Sequence, residues 1–459
     1  MRLVLLSGGS GKRLWPISSD ARSKQFLKVL EREDGIKQSM VERIWGQLQA
    51  VGLSNSSVVS TSKAQSSMLK DQLGQEIPLV LEPERRDTFP AIALAASYLF
   101  SVQQVNLDEV IAVLPVDAYV HDSFFEKIKS LEGILLSTDA ELALMGVKPV
   151  IPSEKYGYIV PEDPSLNEDY YKIKRFQEKP SQGHAKELIK EGALWNCGIF
   201  AFQLRKVIML LKEKGLATDY ESLVNQYSQL PKISFDYEVV EKTENAIVIP
   251  YEGFWKDLGT WNTLTEEMGS TLLGKGAISD DSLNTHVINE LDIPIAVLGL
   301  SDVVVAASPN GILVSDKAAS PRVKEISGFD QPPIYQEKHW GWYKVLDYTT
   351  TPDGQEVVTK RICIKKGKNI SYHFHCKRAE VWMVIGGVGE FIIDGEIGQV
   401  NVGSMIQVPA ETRHAIKAIT DLELIEIQTG KEVMEEDIVR VAMEWEEILF
   451  EAVKNLCSP

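Results

Sequence analysis

The sequence predicts an α/β fold over its first 270 residues, followed by two all-β regions. Up to about residue 270, short apolar runs alternate with stretches of helical periodicity. Beyond that point, short strands follow one another with turns between them. We therefore expect domains at 1–270, 271–330 and 331–459, and the length of 459 residues also suggests about three structural units.

The first region predicts a largely parallel sheet with helices on both faces, because strand–helix alternation is typical of that architecture. The predicted strands are Leu3–Leu6, Ser57–Thr61, Leu79–Leu81, Val110–Leu114 and Leu142–Val147. Apolar residues three or four positions apart mark the helices between them, which are Ser39–Val51, Ala64–Leu73, Pro90–Val105 and Ser123–Ser137.

The rest of the chain predicts two different β structures. Residues 274–328 show short apolar stretches and turn residues without a long helix, which indicates a small segment of the β-solenoid kind. Phe329–Pro333 is typical of a linker. From Val357 the strands are close-set, which predicts a β-sandwich or barrel. The amphipathic stretch Glu435–Val453 predicts a terminal helix.

Charge and composition exclude several classes of function. Asp plus Glu number 65 and Lys plus Arg number 48, so the net charge is −17 and general nucleic-acid binding is disfavoured. An anionic substrate must therefore meet a local basic cluster, a metal ion or backbone N–H groups. No apolar run reaches the ~18–20 residues that span a bilayer. Four scattered cysteines without a Cys-x-x-Cys pair, and no export signal, favour a cytoplasmic protein.

A glycine-rich loop follows the first predicted strand, with the sequence Ser7-Gly8-Gly9-Ser10-Gly11-Lys12-Arg13. Glycines allow backbone N–H groups to approach phosphate oxygens, and Lys12 and Arg13 add positive charge. The spacing matches neither a Walker A loop nor the dinucleotide fingerprint. Taken alone, the loop is either a phosphate site or a tight surface turn.

With the motifs that follow it, this loop resembles the sugar-1-phosphate nucleotidyltransferases, and among them the mannose-1-phosphate guanylyltransferases. The motifs are Gly8–Pro16, Lys24–Phe26, Glu82–Thr88, Tyr156–Ile159, Phe176–Pro180, Trp195–Phe200, Ser234–Tyr237 and Trp255–Trp261. The resemblance implies a Rossmann-like nucleotidyltransferase domain that transfers GMP from GTP to mannose 1-phosphate, giving GDP-mannose and pyrophosphate. No general base is needed, because a phosphate monoester with a second pKa of about 6 is already mostly dianionic.

The resemblance also implies roles for individual residues. The metal pair for Mg²⁺ would be Asp117 and Asp257, since Mg²⁺ suits one or two carboxylates plus substrate oxygens. Nucleotide binding would involve Gly8, Gly9, Ser10, Gly11, Arg13, Lys24 and Arg85. Sugar-phosphate binding would involve Gly157, Glu178, Lys179 and Asn196. The catalytic set would be Arg13, Lys24, Asp117, Lys179 and Asp257.

Three of the seven histidines lie close together near the C-terminus. His373 and His375 alternate on one predicted strand and so share a face, with Glu380 following. His414 begins a later strand that could pair beside them. Three imidazoles and a carboxylate make a site for Zn²⁺, Fe²⁺, Mn²⁺ or Ni²⁺, whereas the alternative is a set of surface histidines.

This region resembles the cupin domain of type II mannose-6-phosphate isomerases, which is fused to many guanylyltransferases. The resemblance rests on Trp340–Tyr343, Lys360–Ile362, Arg378–Trp382, Val408–Pro409, Glu426–Gly430 and Glu436–Arg440. It implies a β-barrel with a transition metal, most often Zn²⁺, at His373, His375, Glu380 and His414. It also implies isomerisation of mannose 6-phosphate and fructose 6-phosphate. Ala415 replaces an arginine usual in the family, which leaves the isomerase activity open.

Two alternatives remain at this point. One is a nucleotidyltransferase for another sugar 1-phosphate with a non-catalytic cupin. The other is a regulator that binds sugar nucleotides without turnover. The expected partners are GTP, mannose 1-phosphate and, for the cupin, mannose 6-phosphate, with no nucleic acid and no membrane. We expect a homodimer, because sheet edges in the β regions need to be covered.

Overall fold

The computed structural model describes residues 1–9, 12–19, 22–32, 34–162, 169–326, 334–435 and 437–456. The chain forms two compact units. The first comprises Met1–Asn289, Pro294–Ala306 and Leu313–Glu325. The second comprises Glu290–Ile293, Ala307–Ile312 and the C-terminal part from Ile326. The expected linker, 329–333, lies outside the described residues, and the division into three domains stays a prediction.

The first unit is built on strands that alternate with helices. Its strands up to residue 257 are β1 (Arg2–Leu6), β2 (Leu30–Glu31), β3 (Lys37–Gln38), β4 (Ser57–Ser62), β5 (Leu79–Glu82), β6 (Val110–Pro115), β7 (Ala118–Val120), β8 (Leu142–Val147), β9 (Tyr158–Pro161), β10 (Tyr171–Gln177), β11 (Leu194–Gln203), β12 (Ala246–Tyr251) and β13 (Trp255–Asp257). Its helices are α1 (Met40–Ala50), α2 (Ser66–Leu73), α3 (Thr88–Ser101), α4 (Ser123–Leu136), α5 (Gln182–Lys190), α6 (Leu204–Glu213), α7 (Tyr220–Asn225), α8 (Phe235–Glu238) and α9 (Trp261–Thr265).

A nine-stranded sheet in the order β5-β4-β1-β6-β11-β8-β12-β10-β9 forms the centre of this unit. Strands β5, β4, β1 and β6 are mutually parallel, as are β8 and β12. Strand β11 runs antiparallel to both β6 and β8, so the sheet is rich in parallel pairs but mixed. The expected Rossmann-like α/β fold is confirmed.

Helices cover both faces of this sheet because side chains alternate along each strand. Leu3 and Leu5 of β1 lie in a core with helices α1, α2, α4 and α5. Val4, between them, lies in a second core with helices α3, α6, α7 and α8. Helix α1 begins with a capping box between Ser39 and Glu42, which satisfies backbone N–H groups at its N-terminus.

Six short strands follow in residues 272–316. They are β14 (Leu272–Leu273), β15 (Gly276–Ile278), β16 (His286–Asn289), β17 (Ile295–Val297), β18 (Val303–Ser308) and β19 (Gly311–Asp316). Strands β14 and β16 pair in parallel, as do β15 and β17. The expected all-β character is present, and the solenoid interpretation stays a prediction.

The second unit is the expected cupin-like β-barrel. Its elements are β20 (Tyr335–Lys338), β21 (Gly341–Thr350), β22 (Glu356–Ile364), β23 (Tyr372–Phe374), β24 (Arg378–Gly386), β25 (Val388–Ile393), β26 (Glu396–Asn401), β27 (Met405–Val408), β28 (His414–Ala418), β29 (Leu422–Gly430), β30 (Val439–Ala442) and α10 (Trp445–Leu456). They form a six-stranded sheet, β20-β21-β22-β29-β24-β27, and a five-stranded sheet, β26-β25-β28-β23-β30.

The predicted terminal helix begins too early. Residues 439–442 form β30, which pairs with β23 through Phe374 and Val439, and the helix begins only at Trp445. The tertiary pairing overrides the helical periodicity of this stretch because β23 offers it a free strand edge. Among the described residues, no helix is both long and apolar enough to cross a bilayer.

Candidate active site and metal centre

The first residues of the glycine-rich loop, Ser7, Gly8 and Gly9, form what we call the glycine turn. It lies at the carboxyl end of β1, which is where open α/β sheets bind ligands. The backbone N–H of Ser7 donates to the carbonyl of Ser60 over 2.9 Å, which ties the turn to β4. A Cβ at Gly8 would lie 3.3 Å from Oε1 of Glu82, whereas Gly9 faces open space. Ser10 and Gly11, two expected nucleotide-binding residues, lie outside the described residues.

Lys24 is brought together with both predicted metal ligands. Its side chain is buried, and its Nζ lies 2.7 Å from Oδ2 of Asp117 and 3.3 Å from Oδ1 of Asp257. Burial by itself lowers the pKa of Lys24, but the two carboxylates outweigh it and raise the pKa above its usual value. Burial acts to raise the pKa of Asp117, but pairing with Lys24 lowers it overall.

A short antiparallel pair explains why two aspartates so distant in sequence converge. Strand β13 pairs with β7, and the register places Asp257 opposite Ala118, directly after Asp117. Gly259 leaves room for the Asp257 carboxylate, because a Cβ there would lie 2.9 Å from Oδ2. Arg13 is exposed, and its charge acts on the pKa values of both Lys24 and Asp117.

The donor set fits a magnesium ion. The side chains of Asp117 and Asp257 are 35% and 26% exposed, so both carboxylates can bind a cation that also contacts solvent and substrate. Mg²⁺ typically takes one or two carboxylates in this way and keeps its other positions for water and phosphate oxygens.

A cavity of about 280 Å³ adjoins the glycine turn and is lined by Gly8, Gly9, Glu82, Arg85 and Asp117, among others. Glu82 is buried there, and its Oε2 accepts a hydrogen bond from the hydroxyl of Tyr227 over 2.9 Å. Burial raises the pKa of Glu82 to about 6. No role was predicted for Glu82 from the sequence, although Glu82 ends β5 and begins the Glu82–Thr88 motif.

The four predicted sugar-phosphate residues also lie together. Strand β9 pairs with both β10 and β11, which sets Gly157 and Glu178 beside Asn196. A Cβ at Gly157 would lie 2.6 Å from Oε2 of Glu178, and the carbonyl of Gly157 accepts from the Asn196 N–H over 2.8 Å. Glu178 is buried and pairs with Lys179.

Asp236 belongs to the same group and was not predicted. Its Oδ1 accepts from Nδ2 of Asn196 over 2.8 Å. Burial, reinforced by the charge of Glu178, raises the pKa of Asp236 to about 7. Tyr156 packs against Trp195 and Trp255, and its pKa is raised by burial and by the charge of Asp257. Asp236 belongs to the Ser234–Tyr237 motif, but its position in the sequence did not predict a contact with Asn196.

The three predicted histidines of the second unit form one cluster. The ligand atoms of His373, His375 and His414 all lie within 4.8 Å of one another, and all three side chains are buried. The pairing of β23 with β28 sets His373 opposite His414. Burial lowers the pKa of His373 well below its usual value and also lowers that of His414, so both are neutral imidazoles at neutral pH.

The arrangement of ring nitrogens fits a metal ion. Nδ1 of His373 donates to the carbonyl of Ser371 over 2.7 Å, and Nδ1 of His414 donates to that of Thr412 over 2.8 Å. Nδ1 of His375 donates to the carbonyl of Asp437. Each Nε2 therefore carries the lone pair. Nε2 of His375 accepts from Nη2 of Arg378 over 3.3 Å, and Nε2 of His414 is buried without a hydrogen-bond partner among the described residues.

Glu380 lies beside the cluster but touches only part of it. Its carboxylate lies 3.0 Å from Nε2 of His375 and 3.6 Å from Nε2 of His414. It also accepts hydrogen bonds from Arg378 and Trp382. Burial acts to raise the pKa of Glu380, but its hydrogen bond with His375 and the charges around it, that of Arg378 among them, lower the pKa well below its usual value. Glu380 is thus a charged neighbour that could complete a three-histidine site.

Two family models match the chain. The model described as nucleotidyl transferase matches residues 2–272, and the model described as mannose-6-phosphate isomerase C-terminal matches residues 333–443. The mannose-1-phosphate guanylyltransferase of Escherichia coli is 29% identical over 96% of this chain and 97% of its own. The xanthan biosynthesis protein XanB of Xanthomonas campestris is 29% identical over 95% of this chain and 97% of its own.

One solved structure supports the same relationship. The crystal structure of a mannose-1-phosphate geranyltransferase from Thermus thermophilus is 29% identical in sequence, with a TM-score of 0.60. The match covers 71% of this chain and 97% of that one.

Proposed function

The chain belongs to the nucleotidyl transferase family, and we propose that it transfers GMP from GTP to mannose 1-phosphate, giving GDP-mannose and pyrophosphate. One observation carries this proposal: the Lys24 ammonium lies between the carboxylates of Asp117 and Asp257, at the strand end beside the glycine turn. A triphosphate, a sugar phosphate and a divalent cation can meet there, and such sites accelerate phosphoryl transfer by placing positive charge around the reacting anions.

Little covalent chemistry is required of the protein. The sugar-phosphate oxygen attacks the α-phosphorus of GTP, and the bond to the leaving pyrophosphate breaks. Lys24 and Arg13 hold the triphosphate and offset the charge that develops on pyrophosphate. Mg²⁺, held by Asp117 and Asp257, would screen the repulsion between the two phosphates. Lys179 meets the phosphate of the sugar, and the Glu178 carboxylate accepts from sugar hydroxyl groups.

Glu82 supports guanine as the base. An ionised carboxylate is only an acceptor of hydrogen bonds, and guanine offers it two adjacent donors, the N1–H and the 2-amino group. Uracil and thymine offer one N–H between two carbonyl oxygens, which a carboxylate repels. Glu82 lines the cavity beside the glycine turn, and its Oε1, on the side of Gly8, is the oxygen that does not accept from Tyr227.

The experiment that tests this function is an end-point assay of pyrophosphate release with GTP, mannose 1-phosphate and Mg²⁺. A matched panel replaces GTP by ATP, UTP or dTTP and the sugar by glucose 1-phosphate. We expect the highest kcat/KM with GTP and mannose 1-phosphate. A clear preference for another pair would replace the substrate assignment, and no turnover with any pair would favour a binding regulator.

A second activity is supported by the histidine cluster. We propose that the second unit binds a divalent transition metal, Zn²⁺ being favoured, and isomerises mannose 6-phosphate and fructose 6-phosphate. A metal held by three neutral imidazoles would keep open positions and could polarise the sugar carbonyl. Lys360, which is buried and paired with Glu435, offers a cation for an anionic substrate. Incubation with mannose 6-phosphate alone tests this activity, and a cupin that yields no fructose 6-phosphate is non-catalytic.

The homodimer and the cytoplasmic location expected from the sequence stay predictions. Sedimentation equilibrium would measure the oligomeric state, and cell fractionation would measure the location.

A further inference from the structure

A second cavity of the first unit lies away from the glycine turn. It has a volume of about 610 Å³ and is lined by residues of α6 and of 238–243, together with Glu141 and Gln203. Gln203 pairs with Val110, the first residue of β6, whereas Asp117 lies two residues beyond Pro115, the last residue of that strand. The cavity therefore lies toward the opposite end of the strands from the glycine turn, and none of the residues of the proposed active site lines it.

The cavity brings four cationic side chains together in an acidic chain. They are Arg205, Lys206, Lys214 and Lys242, and the lining also contains the carboxylates Glu141, Glu213 and Glu238. Arg205 pairs with Asp108, outside the lining, so the three lysines stand against three carboxylates. The whole chain carries −17. Apolar side chains of α6, such as Val207 and Leu210, complete the lining. Cations over an apolar wall are suited to a small molecule with a phosphate group and an organic body.

The ion pairs in the cavity can be exchanged for such a ligand. Nζ of Lys206 lies 2.7 Å from Oε2 of Glu141, which is 62% exposed, and Nζ of Lys242 lies 2.8 Å from Oε2 of Glu238. Lys242 is itself 61% exposed. The Lys206–Glu141 pair contributes little free energy because solvent screens its exposed carboxylate. Glu238 is buried, and it keeps Lys214 as a partner when Lys242 turns to a ligand. A phosphate ester carries more charge and more acceptor atoms than one carboxylate and competes well for both lysines.

Helix α8 connects this cavity to the sugar-phosphate residues. Glu238, at the end of the helix, is only 7% exposed and is held by Lys214 at 2.5 Å and by Lys242. Asp236, two residues earlier, accepts the hydrogen bond from Asn196. The whole helix comprises only Phe235–Glu238, so one short element carries both the carboxylate at the cavity and the one bonded to Asn196.

We propose that this cavity is a regulatory site for a phosphorylated small molecule, which binds Lys206 and Lys242 and acts on the sugar-phosphate site through α8. Binding at the cavity stands on its own geometry, whereas its effect on mannose 1-phosphate rests on the proposed function. Linkage requires the effect to be mutual, so that mannose 1-phosphate changes the affinity of the cavity by the same factor.

Calorimetry on the full chain tests the binding. The probes are inorganic phosphate, fructose 1,6-bisphosphate and GDP, which separate a bare phosphate, a sugar phosphate and a nucleotide as the source of the phosphate group. We expect at least one probe to bind, and its affinity to fall about tenfold or more in the double variant Lys206→Met/Lys242→Met. Lys212→Met, on the same helix but outside the cavity lining, serves as the matched control and keeps the affinity.

Three results would overturn the binding site: no probe binds, the double variant binds as tightly as the parent, or the control loses affinity equally. The double variant Lys206→Arg/Lys242→Arg should restore binding, which separates lost charge from misfolding. A probe that binds only at the active site is recognised because the cavity variants leave its affinity unchanged.

Kinetics test the coupling. We expect the bound probe to change the KM for mannose 1-phosphate at least threefold in the parent and not in Lys206→Met/Lys242→Met. An unchanged KM in the parent would overturn the coupling through α8. If the chain shows no transfer to mannose 1-phosphate at all, the proposed function fails, while the calorimetric result still decides whether the cavity binds phosphate.

Discussion

The proposed transferase site depends on one residue, Lys24. It is buried between two carboxylates, and its charge is what keeps the pKa of Asp117 low. Two neighbouring carboxylates without this cation would favour protonation of one member. The three side chains therefore act as one electrostatic unit, and removal of one partner changes the other two.

Replacement of Asp257 by Asn should lower turnover. The change keeps the shape of the side chain but removes one of the two charges proposed to hold Mg²⁺, so we expect kcat with GTP and mannose 1-phosphate to fall by about 10²–10³-fold. The required Mg²⁺ concentration should also rise. Steady-state kinetics over a magnesium series measure both effects. Asp280→Asn, an exposed position in the small β segment, is the control, and equal turnover in both variants would refute the metal assignment.

Glu82 should make GTP binding depend on pH. Its pKa is raised to about 6 by burial, and the ionised form is the one that accepts from guanine. As the pH falls through about 6, the carboxylate becomes protonated and the KM for GTP should rise. In Glu82→Gln this pH dependence should disappear, and the preference for GTP over UTP should fall about tenfold. A pH profile of kcat/KM that is the same in both proteins would contradict this role.

At the scale of elements, the strands and helices with strong periodicity were predicted well. Strand β8 has the predicted bounds, α1 is one residue shorter than predicted at each end, and α4 ends one residue earlier than predicted. These elements are buried on one face or on both faces. The spacing of their apolar residues in the sequence therefore matches the faces that are buried in the structure. The predicted helix over 435–453 was wrong in its first part, since β30 formed there by pairing with β23.

The pairing of β9 with β10 and β11 leaves no room for a side chain at Gly157. A Cβ there would lie 2.6 Å from Glu178 and 2.7 Å from Phe176, so Gly157→Ala must displace the Glu178 carboxylate. We expect the KM for mannose 1-phosphate to rise about tenfold while the KM for GTP changes little. The control is Gly183→Ala in helix α5, where nothing lies within 4 Å of the added Cβ. An unchanged KM for the sugar would exclude Glu178 from its binding.

Asp437 shows how an element outside a site can hold it. Its carbonyl accepts from His375, and its carboxylate accepts from the backbone N–H groups of Cys376 and Lys377 at 3.0 and 2.9 Å. The loop before β30 thereby orients one histidine of the cluster. Sequence reasoning had no means of finding this contact, because 62 positions separate the two partners.

For the whole molecule, two units with different chemistry imply that their activities can be separated by mutation. We expect His375→Ala to lose the metal of the second unit, from about one ion per chain to nearly none, together with any isomerase activity. Guanylyl transfer should remain. Elemental analysis of the purified protein and the two activity assays measure these effects. His184→Ala, on helix α5 of the first unit, is the control, and full metal content in His375→Ala would refute the cluster as the binding site.

The sequence by itself determined the alternation of strands and helices, the transferase-like and cupin-like regions, and the residue types in their motifs. It could do so because hydrophobic periodicity and glycine positions determine the conformation of the short segments in which they occur. Only the tertiary structure decided which distant groups meet: Lys24 between Asp117 and Asp257, Asp236 beside Asn196, and Glu82 against Gly8. Those contacts depend on strand order and register, which are set by packing of the whole sheet. No local pattern in the chain encodes them.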